Sequence, residues 1–341
     1  MNFRTDKKIS LILECGNRRT NTLKNNPIRF ILPTPYSVGS VNVYFIPDTT
    51  FPTLIDIGIG SLGLEKLKSE LNAVGYELKD IARCVLSHGH SDHTGLIEHI
   101  SASSDVFIHP ADLQTIQKIT IDDLNQSLSA LKDFLISAGL AIKYISAIKN
   151  EIRDFYLKYM IDVPDAQTVT EGFIFTFDTF NLEVIETPGH TPGCISLLDR
   201  ENKILFSGDH ILPKITPNPL IQILNPDPNY KSLLAYRDSL QKIRELNPRI
   251  VYPGHGDPIT QPQKVIQQIL EHHEKRKNIL LNWLKSKEYT MLELSHKLFG
   301  ELAGFGTILG LSEIKGHLEY LESLNLIKHS DTLPNRYSAF V

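Results

Sequence analysis

The sequence predicts an α/β protein with an additional helical domain at its C-terminal end. Between about residues 28 and 261, short segments rich in Ile, Val, Phe and Tyr alternate with turn residues and with helical stretches. This alternation is typical of sheets covered by helices. From Pro262 onward the pattern becomes helical. Because 341 residues exceed the roughly 100–200 of a common single domain, we expect two domains, at 1–261 and 262–341.

The first part of the α/β region predicts strands, one helix and a further buried strand. The segments IRFILPTPY, SVNVYFIPD and TLIDIGIG have the composition of strands and are separated by turn residues. Residues 62–74 place leucines at helical spacing, and Gly75 is a suitable residue to end that helix. The apolar segment IARCVLS follows and is predicted to be a strand that runs directly into His88.

The segment at about 111–160 predicts a helical insertion of two or three helices. It contains almost no Gly or Pro and places Leu124, Leu128 and Leu131 at helical intervals. Ordinary helix packing, an acyl-binding wall and a dimer interface remain alternatives for its role. Strand-like text then resumes in GFIFTFD, NLEVIETPGH, CISLLD and KILFSGDH, and a helix at 231–246 precedes RIVYPGHG.

The C-terminal region predicts three helices followed by a hairpin, the pattern of a winged-helix domain. Its third helix, at 311–326, would be the recognition helix of a DNA-binding module. That helix carries more Glu than Lys, whereas phosphate contacts require basic side chains. We therefore expect this helix to pack against the chain or a partner, and nucleic-acid binding is the less favoured alternative.

The bulk composition excludes several classes of protein. Hydrophobic residues make up 41% and charged residues 22% of the chain, and the net charge is -4, so no general attraction for nucleic acid is expected. The N-terminal apolar run is too short for a signal peptide. No segment approaches the roughly 18 apolar residues of a membrane span. We expect a cytoplasmic protein without a membrane partner.

The residues His88 to His93 spell H-G-H-S-D-H directly after an apolar strand. Three imidazoles and a carboxylate at the end of a buried strand are costly unless something binds them, and a metal ion is the natural ligand. If the strand-like path continues, His88 and His90 project to the same side and can share one ion. Asp92 and His93 then open the next helix and face a second ion.

Three further candidate ligands repeat one local pattern of an apolar strand, a turn with Gly and a metal-binding side chain. They are His190 in VIETPGH, Asp209 in ILFSGD and His255 in IVYPGH. Because strands that end along one edge of a sheet bring their following residues together, we expect all seven side chains to converge. Taken one at a time, each histidine is as readily explained as a loop or core residue, but their agreement in type, spacing and position favours a metal site.

The segments SHGHSDHTG, TPGHTPG, SGDH and PGHG resemble the H-x-H-x-D-H motif and downstream ligands of the metallo-β-lactamase superfamily, over residues from about 28 to 261. The resemblance implies an αββα sandwich, here with a helical insertion and a C-terminal winged-helix domain. It assigns His88, His90 and His190 to one metal ion, Asp92, His93 and His255 to the other, and Asp209 to a bridging position.

Two more residues are candidates for supporting roles. The segment LIDIG matches an early strand of the superfamily, which implies that Asp56 lies near the site and holds a ligand loop by hydrogen bonds. A purely structural role for Asp56 in a turn is the alternative. His210 adjoins Asp209 and is a candidate for a supporting or substrate-proximal position, with an ordinary loop or core histidine as the alternative.

The resemblance implies a dinuclear hydrolase that uses a metal-bridging hydroxide on an ester, thioester or lactone of a small molecule. Asp92 and Asp209 are the expected catalytic residues, because either carboxylate can orient the hydroxide. Nitrogen and oxygen ligands without thiolate suit two divalent ions, with zinc expected first and iron or manganese as alternatives. A homodimer is left open.

Because the same metal core serves several substrate classes within the superfamily, departures from known subfamilies narrow the function more than the motif does. True β-lactamases of this fold usually carry Cys at the position of Asp209, and flavodiiron oxidoreductases usually carry Glu at the position of His90. With GDHILPKITPN at the predicted bridging aspartate, the chain resembles β-lactamase-like hydrolases that append a winged helix, some of which cleave single-stranded RNA. Endoribonuclease activity is therefore the alternative function, and the basic run His272 to Lys277 is the feature that keeps it open. Residues 211–218 are expected to form a pocket wall or a rigid connector.

Overall fold

The computed structural model describes residues 27–100, 104–224, 226–330 and 332–340. The N-terminal segment, on which the expectation of no signal peptide depends, lies outside these residues. Within the described ranges, no helix combines the length and the apolar composition that a bilayer span requires.

The first sheet has six strands in the order β1-β2-β3-β4-β5-β6. Strands β1, β2 and β3 pair antiparallel, and β3 to β6 pair parallel. The strands are β1 (Ile28–Leu32), β2 (Val41–Ile46), β3 (Thr53–Ile55), β4 (Arg83–Val85), β5 (Asp105–Ile108) and β6 (Gln167–Thr168).

The second sheet has five strands in the order β11-β10-β9-β8-β7. Only β10 and β11 pair parallel, and the other neighbours are antiparallel. The strands are β7 (Ile174–Thr176), β8 (Asn181–Glu186), β9 (Ile195–Asp199), β10 (Ile204–Gly208) and β11 (Ile250–Pro253). A separate antiparallel pair is formed by β12 (Ile327–His329) and β13 (Tyr337–Ala339).

The α-helices connect and cover these sheets. They are α1 (Gly60–Ala73), α2 (Ser91–Thr94), α3 (Ile121–Ser137), α4 (Ile142–Tyr159), α5 (Ser232–Leu246), α6 (Pro262–Leu284), α7 (Met291–Phe299) and α8 (Phe305–Ser323). Short 3-10 helices occupy Leu78–Asp80, Ile97–His99 and Pro110–Ile116.

Three apolar clusters show that the two sheets face each other between helices. The inner cluster joins residues such as Phe107 of the first sheet to Phe206 of the second. On the outer face of the first sheet, Leu67 of α1 packs against the strands. On the outer face of the second sheet, α5 and the first half of α6 pack through Leu240 and Ile266. The layers are therefore helix, sheet, sheet, helix, as the sequence predicts.

A fourth cluster joins the insertion to the C-terminal helices. It contains Leu128 of α3, Ile148 of α4, Leu284 of α6 and Ile314 of α8. The insertion helices thus pack against the C-terminal region, a contact that the helical periodicity alone does not indicate. At the N-terminus of α8, the backbone N–H of Phe305 donates to the Glu151 carboxylate of α4 over 3.1 Å.

One predicted helix face is wrong in part. In α1 the buried positions are Gly63, Leu67 and Leu71, whereas Leu62 is 75% exposed. The helix begins at Gly60, and its buried stripe follows a four-residue spacing that turns Leu62 outward. The strands around this helix are also shorter than the apolar segments of the sequence suggest, since β3 and β4 each span three residues.

Candidate metal centre

Loops at the carboxyl ends of four strands carry the predicted ligand residues. The segment after β4 contains His88 and leads through His90, the N-cap residue, into the short helix α2. His190 follows β8, Asp209 follows β10, and His255 follows β11. Because β4 belongs to the first sheet and the others to the second, the side chains meet along one edge of the sandwich.

The backbone ahead of Asp209 turns sharply at Gly208. This glycine has a φ of +47°, and a Cβ at this position would collide with the Ser87 side chain. A side chain there would strain the left-handed backbone and separate β10 from the segment that precedes His88. Gly208 therefore lets the two ligand loops approach closely.

The first set of donor atoms consists of three imidazole nitrogens. The Nδ1 atom of His90 lies 2.9 Å from Nε2 of His88 and 3.0 Å from Nε2 of His190. His88 is fully buried and His190 is 8% exposed. Three imidazole nitrogens that face one point are a common protein site for a transition-metal ion.

The second set combines a carboxylate with two imidazoles. The Oδ2 atom of Asp92 lies 3.3 Å from Nε2 of His255 and 4.0 Å from Nε2 of His93. All three donor atoms lie within 4.8 Å of one another. This set can hold a second ion.

The carboxylate of Asp209 lies between the two sets. Its Oδ1 atom is 3.4 Å from Nε2 of His93, and its Oδ2 atom is 3.5 Å from Nε2 of His255. The same Oδ2 atom is 3.7 Å from Nε2 of His190, which belongs to the first set. The Asp209 side chain is thus in reach of both sets.

Unpartnered polar atoms in this cluster fit a metal ion. Within the described part of the chain, Nε2 of His93, Nε2 of His255 and Oδ1 of Asp209 are buried and have no hydrogen-bond partner. A buried polar atom without a partner costs about 1–3 kcal/mol. Divalent ions coordinated by these atoms would remove that cost, and nitrogen and oxygen donors suit zinc, iron and manganese alike.

Burial and neighbouring charges shift the pKa values of the predicted ligands, and not all in the direction that metal binding needs. Burial keeps the pKa of His88 well below its ordinary value and lowers the pKa of His90 to about 3, so both rings are neutral. At His93, burial opposes the charge, but the neighbouring carboxylates, Asp209 first, outweigh it and raise the pKa. Burial also opposes ionisation of Asp209, yet the adjacent imidazoles hold its pKa well below the usual range. Metal binding would displace the His93 proton.

Asp56 contacts one predicted ligand, His93, directly and a second, His88, through Ser87. Its Oδ2 atom lies 2.8 Å from Nδ1 of His93, and its carboxylate accepts hydrogen bonds from the Ser87 backbone N–H at 2.7 Å and from the Ser87 hydroxyl at 2.9 Å. The Ser87 hydroxyl is also 3.0 Å from Nδ1 of His88. Such contacts fix the ring orientation and tautomer of a metal ligand.

Backbone carbonyls orient two other ligands. The Nδ1 atom of His190 donates to the carbonyl of Asn218 over 3.0 Å, and Nδ1 of His255 donates to the carbonyl of Ser40 over 2.8 Å. Each bond leaves the Nε2 lone pair free to face the donor cluster. Because every residue type has a backbone carbonyl, no feature of the sequence indicates these two partners.

The metallo-β-lactamase superfamily profile matches residues 36–255, a span that contains all seven predicted ligand residues. The chain belongs to this superfamily. It is therefore an enzyme of a family whose members bind divalent metal ions through His and Asp clusters of the kind described above.

Two sequence relatives and one solved structure extend this result. The probable metallo-hydrolase YqjP of Bacillus subtilis (strain 168) is 28% identical over 297 residues, which cover 86% of this chain and 91% of that protein. The atrochrysone carboxyl ACP thioesterase of Aspergillus fumigatus is 25% identical over 282 residues, with 79% and 71% covered. A metallo-β-lactamase family protein from Thermus thermophilus matches with a TM-score of 0.77 and 22% identity over 92% of this chain and 98% of that one.

Asp112 is a supporting residue of this superfamily member that sequence reasoning missed. It is 2% exposed and accepts hydrogen bonds from the backbone N–H groups of Gly89 and Gly193, both at 2.8 Å, and from the Thr191 hydroxyl at 2.6 Å. Asp112 therefore ties the loop of His90 to the loop after β8. It lies in the 3-10 helix Pro110–Ile116, and a single Asp in a helical segment gives no sequence signal for such a role.

The structure places His210 in the core. Its side chain is fully buried, and its ring packs edge-on against Tyr236 with centroids 5.0 Å apart. Burial lowers its pKa to about 3. This placement fits the alternative of a core histidine, and the substrate-proximal role stays a prediction.

A cavity of about 300 Å³ lies beside His255, one of the predicted metal ligands. Residues 212–215, within the segment expected to form a pocket wall, contribute to its lining. The lining also includes three exposed aliphatic side chains: Ile31 at 46%, Val38 at 36% and Ile215 at 50% exposure. Exposed aliphatic side chains grouped at a cavity are typical of a ligand-binding surface.

Proposed function

We propose that this chain is a dinuclear metal-dependent hydrolase that cleaves an ester, thioester or lactone of a small molecule. The observation that carries the proposal is the pair of three-donor sets with the Asp209 carboxylate between them. Zinc is the metal that we propose first, with iron or manganese as alternatives, since the donor atoms do not distinguish among them.

The proposed ligand assignment follows the donor sets. His88, His90 and His190 would hold one ion, and the other ion would be held by Asp92, His93 and His255. Two ions in these positions would supply activated water at neutral pH and polarise the attacked carbonyl.

The two carboxylates have a further proposed role in the reaction. Asp92 and Asp209 would accept hydrogen bonds from the attacking water and orient it toward the carbonyl carbon. Asp56 and Ser87 would keep the imidazoles of His93 and His88 in place during turnover.

The proposed substrate class rests on the cavity beside His255. A volume of about 300 Å³ is at the lower end of common small-molecule pockets. The lining is mixed, and its aliphatic part, with Ile31, Val38 and Ile215, suits the acyl part of a substrate. The similarity to an ACP thioesterase supports a thioester as the first substrate to test.

Two observations weaken the case for RNA cleavage. In the basic run of α6, Arg276 pairs with Glu313, and Lys277 pairs with Glu274 at 2.6 Å. Helix α8 would be the helix that contacts nucleic acid in a winged-helix domain. Residues on several of its sides are buried within the chain and are not available for such contacts, among them Ser312, His317 and Leu318. RNA cleavage is therefore an outcome to be tested rather than the proposed activity.

The experiment compares one metal-reconstituted protein on four substrate types: an acyl thioester, a lactone, a simple ester and single-stranded RNA. We expect hydrolysis of at least one of the three small molecules and none of the RNA. Asp209→Asn should lower kcat by about 10²–10⁴-fold, since it removes the carboxylate that orients the water.

The matched control is Glu65→Gln, the same acid-to-amide change on the surface of α1, where Glu65 pairs only with Lys68 at 3.1 Å among the described residues. Its rate should equal that of the unmodified chain. Turnover of RNA alone, or a small-molecule rate that Asp209→Asn leaves unchanged, would contradict the proposal.

A further inference from the structure

We propose that helix α8 of the C-terminal region positions the metal ligand His190 through Asn218. The C-terminal region would then be part of the support of the metal centre rather than a separable module. This inference rests on the proposed metal site but not on the proposed substrate.

The first step of the argument is the hydrogen bond of His190. Its Nε2 atom faces His90 in the donor cluster, and its Nδ1 atom donates to the Asn218 carbonyl over 3.0 Å. The direction of the ring therefore depends on where the Asn218 carbonyl is held. A hydrogen bond to the second ring nitrogen fixes the tautomer and orientation of a ligating imidazole.

The second step is that α8 holds Asn218. The side-chain amide of Asn218 donates to the Leu309 carbonyl of α8 over 2.9 Å. A few residues on, the Ile221 backbone N–H donates to the buried Ser312 hydroxyl of the same helix over 3.3 Å. Pro217 and Pro219 are both buried and flank Asn218, and their rings restrict the backbone on either side of it.

The third step is close packing between α8 and this loop. Gly316 of α8 presents no side chain where Pro219 and Leu233 approach: a Cβ there would lie 3.3 Å from Cγ of Pro219 and 3.0 Å from Cβ of Leu233. A glycine inside a helix is less stable than alanine, and the close contact explains why a glycine stands at this position. On the other side, the Ser232 hydroxyl of α5 donates to the Pro219 carbonyl over 3.1 Å.

The loop around Asn218 is thus clamped between α8 and α5, and its carbonyl faces a metal ligand. Ordinary packing would stabilise the fold without selecting one metal ion. A positioning role, in contrast, affects the ion held by His88, His90 and His190 more than the ion held by Asp92, His93 and His255. This difference in metal affinity separates the two explanations.

The test measures zinc binding to the metal-free full-length chain by competition with a chromophoric chelator. Asn218→Ala removes the amide that donates to Leu309 but keeps the backbone carbonyl that accepts from His190. We expect it to weaken one of the two zinc sites by about tenfold or more, the lower end of the effect of removing a supporting contact, and to leave the other within a factor of two or so.

The matched control is Asn202→Ala, which removes a comparable amide contact, to Asp199 at 2.7 Å, in the turn between β9 and β10. It should leave both zinc affinities unchanged. Ser312→Ala is a second, milder variant, because it removes the hydroxyl that accepts from Ile221, and we expect it to weaken the same site as Asn218→Ala.

The result that would overturn the inference is a lower unfolding temperature for Asn218→Ala with both zinc affinities unchanged, or an equal loss at both sites. If Asn218→Ala does not fold, Ser312→Ala decides by the same criterion. An unmodified chain that binds no metal would instead contradict the proposed metal site, so the two failures are distinguishable.

Discussion

Replacement of Asp112 by asparagine should loosen the metal centre without touching a metal ligand. The Oδ2 atom of Asp112 accepts from Gly89 and Thr191, and its Oδ1 atom accepts from Gly193. Asparagine has nearly the same shape, but one of its two groups is a donor and must face a backbone or hydroxyl donor. At least one buried hydrogen bond is lost, and one N–H group is left without an acceptor.

The magnitude follows from these three contacts. A hydrogen bond to a charged group contributes about 1.5–3 kcal/mol, and an unsatisfied buried donor costs about 1–3 kcal/mol. We expect Asp112→Asn to lower the free energy of unfolding by about 3–5 kcal/mol. Thr191→Val removes one contact only and should cost about 1–2 kcal/mol. Because Asp112 joins the loops that carry His90 and His190, zinc affinity should also fall about 10–100-fold in the asparagine variant.

The assay is urea-induced unfolding of the metal-free chain, followed by zinc titration of each variant. The ionised form of Asp112 is the one that can accept from three donors, although burial raises its pKa and these hydrogen bonds only partly oppose that rise. The free energy of unfolding of Asp112→Asn could instead lie within about 0.5 kcal/mol of that of the unmodified chain, a difference typical of a surface substitution. That result would show that Asp112 does not stabilise the fold as a buried anion.

Two further predictions concern other buried groups. Asp56→Asn should lower zinc affinity about 10–100-fold in a chelator competition, because His93 loses its carboxylate partner. Asparagine tolerates the positive φ of 60° at this position, so the backbone should not be strained. Equal zinc affinities for the variant and the unmodified chain would contradict this prediction. Burial lowers the pKa of His273 to about 2, and the charge of His317 is the second cause. Below about pH 6.5 the His273 side chain therefore takes up a proton in the unfolded state but not in the folded state, and the stability of the fold decreases as the pH is lowered. The unmodified chain should lose about 2 kcal/mol more than His273→Leu between pH 7.5 and 5.0 in urea unfolding, and equal losses would refute this.

The side chains predicted to be metal ligands come together in the structure, and the sequence could indicate them because their signal is local. His88, His90, Asp92 and His93 lie within six residues of sequence, and the other three ligands each follow an apolar strand. The sheets were predictable for the same reason, since strand composition and turn residues are read over short segments. Strand lengths were less predictable. Strand β4 spans only Arg83–Val85, although the apolar segment of sequence around it is longer.

The supporting contacts could not be predicted because they are set by tertiary packing. Asp112 contacts Gly193 across 81 residues of chain, and Asn218 contacts Leu309 across 91. The contact of His190 with Asn218 uses a backbone carbonyl, which every residue type possesses. The packing of the insertion against α8 likewise joins apolar faces that helical periodicity identifies but cannot pair.

The central claim is that this chain holds two metal ions that share Asp209. The most direct measurement is zinc titration of the metal-free chain with thioester hydrolysis followed in the same samples. We predict two zinc ions per chain, activity that reaches its maximum only at the second equivalent, and weaker binding of both ions in Asp209→Asn. A single tightly bound ion, with full activity at one equivalent and unchanged binding in Asp209→Asn, would contradict the shared dinuclear site.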